Sequence, residues 1–581
     1  MNIFRMNTTT SSSSNSSNSI DFNNSPNEDT PLLNTNDIKP PKISSNNDKS
    51  HLNTVLSVSS SEPLLKVNDS KDTSLPISSQ VPQQAPQLTV EASEKVKTMG
   101  EIAWDFILYG PQPSQGKKKG PWNWYDCWDV AANTKEIFIR SREGDLAFLD
   151  GIRALAYLWV LSDHMEQAFS MEITGFSEWW RNQTSETVRL ADGNKGDQGV
   201  TSFFFLSGFL IPFIFTKMVS GAKKTLKEGD VEPAFSYHAF EFIFRRYMRL
   251  APTLMMGTLV AVVYGYYIQE YSSNSYSQFY VTCNQYWWQN AVFVNNMNGI
   301  IGTGDCYDSV WTISCEFQLY ILTIPVVYFY CWKPEYGYIA NAIFTATSFA
   351  LRVYFAYMVD VDKRYSWGAY VYLPSWTRAA EYGVGITIFF IYDYFFSSSK
   401  KKAQIQPIGE LKTYSEIFIR ISFYIVVYFF LAFGLFYIIA DETWWGFSYY
   451  QYEGFSYFLW AATLGSIAIL SIENVLWPVK YFLSWYVWYP IAQLAYTGGV
   501  LNMVISHATA VASIVTFGNN WNDDTSLWTY MYLYILIAAS SLIFGYVLSL
   551  LVERPFMNLA KAVPQFYKLF GPARKEEQVQ V

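Results

Sequence analysis

Hydrophobic residues dominate the chain from Phe148 onwards, where long apolar segments alternate with short polar joints. Ten such segments can be marked, at 148–169, 199–217, 250–269, 311–331, 337–358, 376–396, 414–440, 455–475, 485–507 and 527–552. An α-helix needs about 20 apolar residues to cross a bilayer, and these segments are close to that length. The pattern therefore predicts an all-α, polytopic membrane protein with about ten transmembrane helices.

The sequence before the first apolar segment has a different character. Residues 1–95 are rich in Ser, Asn, Thr and Pro and almost free of aromatic residues, a composition typical of disordered segments. Residues 96–147 combine a Lys triplet at 117–119 with aromatic residues at 122–128. This stretch is either a segment lying on the membrane surface or a packed lid over one mouth of the domain. The membrane domain itself is predicted at 148–556, followed by a tail at 557–581.

The Lys and Arg residues of the joints predict the orientation of the helices, because cytosolic joints are enriched in both. The joint between the second and third segments is strongly basic, whereas 271–310, 441–454 and 508–526 contain no Lys or Arg. The alternation predicts that both termini are cytosolic, although Lys363 and Arg364 fall on the predicted outer side. An acidic dileucine pattern ending at Leu32 and Leu33 resembles an endolysosomal sorting signal, but in a low-complexity tail a chance match is the favoured explanation. The location therefore stays open between an endomembrane (endolysosome or reticulum) and the plasma membrane.

Two features of the predicted outer joints agree with this orientation. Cys283 and Cys306 both lie in the base-free joint 271–310, where an oxidising compartment would favour a disulfide between them. The alternative is two free thiols. Asn182, followed by Gln183 and Thr184, forms a glycosylation acceptor pattern in the first outer joint.

The first apolar segment is unusual because Asp150, Arg153, Asp163 and His164 lie within it. Ionisable residues are costly at membrane depth, so they mark a candidate functional site. Arg153 and His164 are eleven residues apart, which places both on one helical face and roughly 16 Å apart along the axis. The helix thus carries a polar stripe with a cation near its beginning and an imidazole near its end.

His164 is the candidate general base of this stripe. Glu316 lies near the outer end of the fourth segment, at a similar predicted depth, and a carboxylate beside a histidine orients the ring and stabilises the imidazolium. Asp163 is nearer in sequence, but it points about 100° away around the helix. Either carboxylate is therefore a candidate partner. The alternative for His164 is a buried histidine with a purely structural role.

Further candidates come from the second, third, fourth and sixth segments. Arg246 and Arg249 are three residues apart on one helical face, with Arg245 beside them, and guanidinium groups suit phosphate oxygens. On this feature alone, however, anchoring by positive charge on the cytosolic side is the favoured explanation. The predicted substrate pocket is formed by small, aromatic and charged residues near the helix ends: Ser207, Trp311, Arg378 and Glu381. Arg378 and Glu381 are also spaced to pair with each other.

The order of these motifs resembles acyltransferase family 3, the membrane O-acyltransferases that include bacterial polysaccharide O-acetylases and the nose-resistant-to-fluoxetine group. The resemblance rests on five stretches in order: LDGIRALA at 149–156 with His164 following, FFFLSGFLI at 203–211, RRYMRLAP at 245–252, WTISCEFQLY at 311–320 and LVERPF at 551–556. It departs from the family at Asn502, where members often carry a histidine.

The resemblance implies transfer of an acyl group, with acetyl expected, from cytosolic acyl-CoA to a hydroxyl group of a carbohydrate, lipid or small molecule. It implies that Arg153 and His164 are essential and that Arg246 and Arg249 serve the donor. The expected partners are membrane lipid, acyl-CoA and the acceptor, with no metal and no nucleic acid. Two other hypotheses stay open: a proton-coupled transporter that uses the same charged stripe, and a non-catalytic scaffold, for which the departure at Asn502 is the support.

Overall fold

Within the described residues, ten long helices follow one another and coincide, to within a few residues at most boundaries, with the ten predicted segments. They are α1 (Phe148–Glu172), α2 (Asp197–Thr225), α3 (Phe235–Tyr267), α4 (Trp311–Trp332), α5 (Pro334–Val361), α6 (Ser375–Phe396), α7 (Tyr414–Ile439), α8 (Tyr449–Ile472), α9 (Trp488–Phe517) and α10 (Leu527–Leu548). Every regular element in the described part of the chain is a helix, so the predicted all-α fold is confirmed.

The computed structural model describes residues 124–140, 146–184, 196–225, 235–362, 364–396, 414–439, 449–518, 521 and 525–561. The predicted disordered tail at 1–95, the Lys triplet and most of the predicted C-terminal tail lie outside these residues. Shorter helical elements lie before, between and after the long helices, at Trp124–Trp128, Val130–Phe138, Phe176–Gln183, Ser273–Ser275, Tyr276–Val281, Thr282–Ala291, Asn295–Met297, Asn298–Ile301, Asp308–Val310, Gly368–Tyr372, Trp477–Leu483, Ser549–Glu553 and Arg554–Ala560.

Seven of the ten long helices, among the described residues, are long and apolar enough to cross a membrane by length and composition. The other three are α1, α6 and α7. The apolar stretch of α7 is shorter, at Ile421–Phe436, whereas α1 and α6 carry ionisable residues that are largely buried between neighbouring helices, such as Asp150, Arg378 and Glu381. Buried ionisable groups inside a bundle lower the mean hydropathy of a helix without exposing charge to lipid.

Helices α2 and α6 cross at very short range, and glycines make this possible. A Cβ atom placed on Gly208 would lie 2.2 Å from the backbone oxygen of Tyr382, and one placed on Gly385 would lie 2.3 Å from that of Phe205. Small residues allow this kind of close backbone approach between helices. Within the FFFLSGFLI stretch, Gly208 therefore serves helix packing, while Ser207 faces the polar centre described below.

We expect Gly208→Ala to lower the free energy of unfolding by about 1–3 kcal/mol, the usual cost of overpacking a tight contact. The new methyl group would have to push α6 away from α2. The measurement is the thermal melting midpoint of the protein in lipid nanodiscs. Gly221→Ala is the matched control, because Gly221 lies on the same helix and no atom is within 4 Å of a Cβ placed there. Equal melting midpoints for the two variants would contradict the prediction.

The described part of the segment before α1, residues 124–140, packs against the ends of several helices. Arg140 donates from Nη1 to the backbone oxygen of Ser484 at 2.8 Å, and its Nε lies 3.8 Å from a carboxylate oxygen of Asp150 at the beginning of α1. The hydroxyl of Tyr489 on α9 donates to the backbone oxygen of Ile139 at 3.1 Å. These contacts join the segment to the neighbouring helices, and we call residues 124–140 the collar; the choice between a membrane-surface segment and a lid stays a prediction.

The joint between α3 and α4 is compact and cross-linked. Cys283 and Cys306 form a disulfide in the structure, with their Cα atoms 4.2 Å apart. Asn290 lies beside it and donates from Nδ2 to Oγ1 of Thr258 on α3 at 3.0 Å. Asn182, the candidate glycosylation site, is exposed at the end of the short helix Phe176–Gln183, and its modification stays a prediction.

Candidate active site

His164 lies near the end of α1 and contacts the middle of α9. Its Nδ1 atom is 3.1 Å from Oδ1 of Asn502. An amide oxygen can only accept, so this bond places a proton on Nδ1, and a neutral ring of that tautomer carries its lone pair on Nε2. The arrangement suits a general base, since the ring nitrogen opposite the orienting hydrogen bond is the one that takes a proton.

Asn502 is thus a partner of His164. In the sequence it is visible only as a departure from the family pattern. The two carboxylates predicted for that role have other contacts. Oε1 of Glu316 accepts a hydrogen bond from Oγ of Ser207 at 2.6 Å and forms an ion pair with Arg246. Asp163 packs beside Gly196, the residue that precedes α2: a Cβ atom placed on Gly196 would lie 2.6 Å from the Cβ atom of Asp163. A catalytic role for either carboxylate stays a prediction.

Glu316 is the centre of a basic cluster contributed by α1 and α3. Arg153, Arg246 and Arg249 all lie close enough for their positive charges to act on its carboxylate. The guanidinium group of Arg246 also lies over the ring of Tyr320, 5.2 Å from the centroid. The structure therefore brings three of the four arginines predicted to bind the acyl donor (Arg153, Arg245, Arg246 and Arg249) into one region, although two of these three come from a helix far from α1 in sequence.

The arginines of α3 also use carboxylates to hold their positions. Nε of Arg249 lies 3.2 Å from Oε1 of Glu553, the glutamate of the LVERPF motif, and the Glu553 side chain is almost fully buried. Arg245 pairs with Glu241 one turn earlier. The acidic residue near the end of the chain thus has a clear structural task, because it fixes a guanidinium group that enters the basic cluster.

A second polar cluster joins the beginnings of α6 and α8 to the end of α5. Arg352 Nη1 lies 2.5 Å from Oε1 of Glu381, and Arg378 Nη1 lies 3.6 Å from the same oxygen. All three side chains are completely buried. Arg378 is surrounded by aromatic rings, with its guanidinium carbon 4.2 Å from the Tyr457 centroid and 5.4 Å from that of Trp311. We call Arg352, Arg378 and Glu381 the buried ion cluster.

The buried ion cluster bears on the predicted substrate pocket. Arg378 and Glu381 pair with each other, as their spacing allowed, and Trp311 packs against Arg378. Ser207 is turned towards Glu316 instead. Their role in substrate binding stays a prediction. Arg352 was not predicted as a site residue. In the sequence it is an isolated charge in an apolar segment, because its partner Glu381 lies on the next long helix.

A further histidine, His507, ties the ends of α1 and α9 together. Its Nδ1 atom lies 2.9 Å from Oε1 of Glu172, the last residue of α1, and 3.2 Å from Oγ of Ser275. Glu172 also accepts hydrogen bonds from Ser275 at 2.8 Å and from Ser272 at 2.7 Å. Both His507 and Glu172 are buried. The only sequence signal for this pair is a histidine one and a half turns beyond Asn502 on the same helix.

Comparison with known proteins gives a consistent result. A family model described as an acyltransferase domain matches residues 146–550, well over half of the chain. Nose resistant to fluoxetine protein 6 from Caenorhabditis elegans is 25% identical over 268 residues, which are 41% of this chain and 30% of that relative. The match thus covers less than a third of the relative's own length. No solved structure matches the chain.

Proposed function

Because this chain belongs to the acyltransferase 3 family, we propose that it moves an acyl group, acetyl in the first instance, from acyl-CoA to a hydroxyl group of a carbohydrate, lipid or small molecule. The observation that carries the proposal is His164, which Asn502 holds through Nδ1 on the same helix as Arg153. Acyl transfer from a long anionic donor needs an oriented base and a cation that binds the donor. Helix α1 provides both, because it carries His164 and also brings Arg153 to the basic cluster.

The basic cluster supports acyl-CoA as the donor. Guanidinium groups bind phosphate oxygens through forked, charge-assisted hydrogen bonds. The Nε atoms of Arg245 and Arg246 are buried and have no hydrogen-bond acceptor among the described residues. In this proposal the phosphates lie at the cluster and the pantetheine arm follows the polar stripe of α1 towards His164. The thioester is then presented to the imidazole.

The proposed transfer is a direct attack of the acceptor on the thioester. His164 takes the proton of the acceptor hydroxyl as its oxygen forms a bond to the carbonyl carbon, and the carbonyl electron pair moves to oxygen. The tetrahedral intermediate collapses, the C–S bond breaks and the CoA thiolate takes the proton from the imidazolium. The products are an ester and free CoA, so one residue acts first as general base and then as general acid.

The proposed topology places both termini in the cytosol. The collar and the arginines of α3 are then on the cytosolic side, where acyl-CoA is found, and the disulfide, Asn182 and the His507–Glu172 pair are on the outer side. The basic joints support this orientation. The membrane is proposed to be an endomembrane or the plasma membrane.

Removal of the arginines of the basic cluster should weaken donor binding. Each charge-assisted hydrogen bond contributes about 1.5–3 kcal/mol, so Arg153→Ala and the double variant Arg246→Ala, Arg249→Ala should each raise the Kd for acetyl-CoA by at least about tenfold. The measurement is calorimetric titration of acetyl-CoA into purified protein in lipid nanodiscs.

Arg364→Ala is the matched control for this titration. Arg364 is 86% exposed and, among the described residues, pairs with Asp362 two residues away, so its loss should leave the Kd unchanged. Wild-type protein that binds neither acetyl-CoA nor a longer acyl-CoA would contradict the proposed function, and proteoliposome uptake would then test the transporter hypothesis.

A further inference from the structure

Of the two polar side-chain atoms of Asn502, only one has a hydrogen-bond partner among the described residues. Its Oδ1 atom accepts the hydrogen bond of His164 at 3.1 Å. Its Nδ2 atom is buried and has no hydrogen-bond acceptor among the described residues. Asn502 as a whole is only 1% exposed, so water cannot readily serve this donor.

A buried donor without an acceptor normally costs about 1–3 kcal/mol. Asn341, which is buried as well, avoids this cost: it donates from Nδ2 to the backbone oxygen of Gly383 at 3.0 Å and to Oγ1 of Thr387 at 2.9 Å. The Nδ2 atom of Asn295 is also buried without an acceptor among the described residues. What distinguishes Asn502 is that its unmet donor lies on the residue that orients the proposed base.

The surroundings of Asn502 would strengthen any hydrogen bond that Nδ2 makes. The neighbouring residues Leu501, Met503 and Val504 on α9 are apolar and buried. Electrostatic interactions are stronger in such a medium than in water, and a donor that is already fixed needs no reorganisation when charge develops near it. Oδ1 and Nδ2 share one carbon atom, so the donor is held in the immediate neighbourhood of the His164 ring.

We propose that Asn502 is a catalytic residue with two tasks. Oδ1 keeps His164 in the tautomer that carries its lone pair on Nε2, and Nδ2 donates to the thioester carbonyl oxygen when that oxygen becomes an oxyanion. The inference rests on the proposed function. The chemistry stays balanced as described above: the oxyanion forms when the acceptor oxygen attacks, and it returns its electron pair as the C–S bond breaks. Asn502 neither gains nor loses a proton.

Two variants separate these tasks. Asn502→Asp keeps an oxygen that accepts from Nδ1 of His164 but removes the donor, whereas Asn502→Leu removes both at similar volume. Removal of one oxyanion donor typically lowers kcat by about 10²–10³-fold. We therefore expect Asn502→Asp to release CoA from acetyl-CoA about 10²–10³-fold more slowly than wild type, with the Kd for acetyl-CoA within about twofold, since donor affinity depends on the basic cluster.

The pH profile provides a readout that a purely structural role would not move. A carboxylate beside His164 stabilises the imidazolium, so the rising limb of the rate should move to higher pH in Asn502→Asp. The plateau above that limb should stay low, because the donor is missing at every pH. A plateau equal to that of wild type would overturn the oxyanion role, and an unshifted limb would overturn the contact with His164.

The experiment uses the full chain in nanodiscs, with glycerol as the probe acceptor and release of the CoA thiol as the signal. Asn341→Asp is the control, because it alters a buried amide away from the site and should lower the melting midpoint without changing kcat. If the carboxylate prevents folding, Asn502→Leu tests the two tasks together, and a wild-type rate at constant Kd in that variant would overturn both. Wild-type protein that releases no CoA would contradict the proposed function. Active wild type with equally active Asn502→Asp and Asn502→Leu variants would contradict this inference alone.

Discussion

Replacing His164 by glutamine should reduce the rate of acyl transfer by about 10²–10⁴-fold, the usual contribution of a general acid–base group. Glutamine is polar and of similar size, and it can still meet Oδ1 of Asn502 through its amide. It cannot accept a proton at neutral pH. The variant should therefore remain in the membrane and bind acetyl-CoA with wild-type affinity. The measurement is the initial rate of CoA release under saturating acetyl-CoA, together with the binding titration.

The matched control for His164→Gln is a second histidine of the bundle. His238 is buried near the beginning of α3 and has no place in the proposed chemistry, so His238→Gln should keep the wild-type rate per folded molecule. A His164→Gln protein that transfers acyl groups at the wild-type rate would remove the central claim. Loss of acetyl-CoA binding in that variant would instead mean that His164 belongs to the donor site.

Replacing Glu381 by glutamine should strongly destabilise the protein. The carboxylate lies between Arg352 and Arg378, and all three side chains are completely buried. Removing one partner of a buried ion pair leaves uncompensated charge in a medium of low dielectric constant and typically costs about 3–5 kcal/mol. We expect a much lower melting midpoint in nanodiscs, with less protein recovered in the folded form.

A double variant tests whether the charge itself is the cause. Arg352→Met added to Glu381→Gln removes one of the two stranded cations, so the double variant should melt at a higher temperature than Glu381→Gln alone. Asp362→Asn is the control, because it breaks the exposed pair with Arg364 and should leave the melting midpoint unchanged. A double variant that is no more stable than Glu381→Gln would show that shape rather than charge holds this cluster.

The sequence was sufficient to predict the helices because the length of an apolar segment is set by the bilayer, not by its neighbours. Even the segment 337–358, which contains Arg352, forms one continuous helix, α5 (Pro334–Val361). The polar stripe of α1 could also be predicted from the sequence, since the angle between Arg153 and His164 around the helix depends only on the helical repeat. These features are local, and local geometry determines them.

The partners across helices could not be predicted in the same way. Whether Glu316 faces His164 or Arg246 depends on how α4 is rotated about its own axis, and depth alone does not fix that rotation. The same holds for Arg352, whose partner Glu381 lies 29 residues further on. Asn502 was visible only as a departure from a family pattern. Its contact with His164 requires the crossing of α1 and α9, which only the folded bundle provides.

Hydrogen bonds hold α1 and α9 together on both sides of the proposed reaction centre. On one side Tyr157 bonds Oγ of Ser541, which in turn donates to the backbone oxygen of Gly498, and on the other Glu172 holds His507. The contact between His164 and Asn502 lies between these two ties. We therefore expect α1 and α9 to keep their mutual geometry during turnover, so that any widening of the site for a bulky acceptor comes from the displacement of other helices around them.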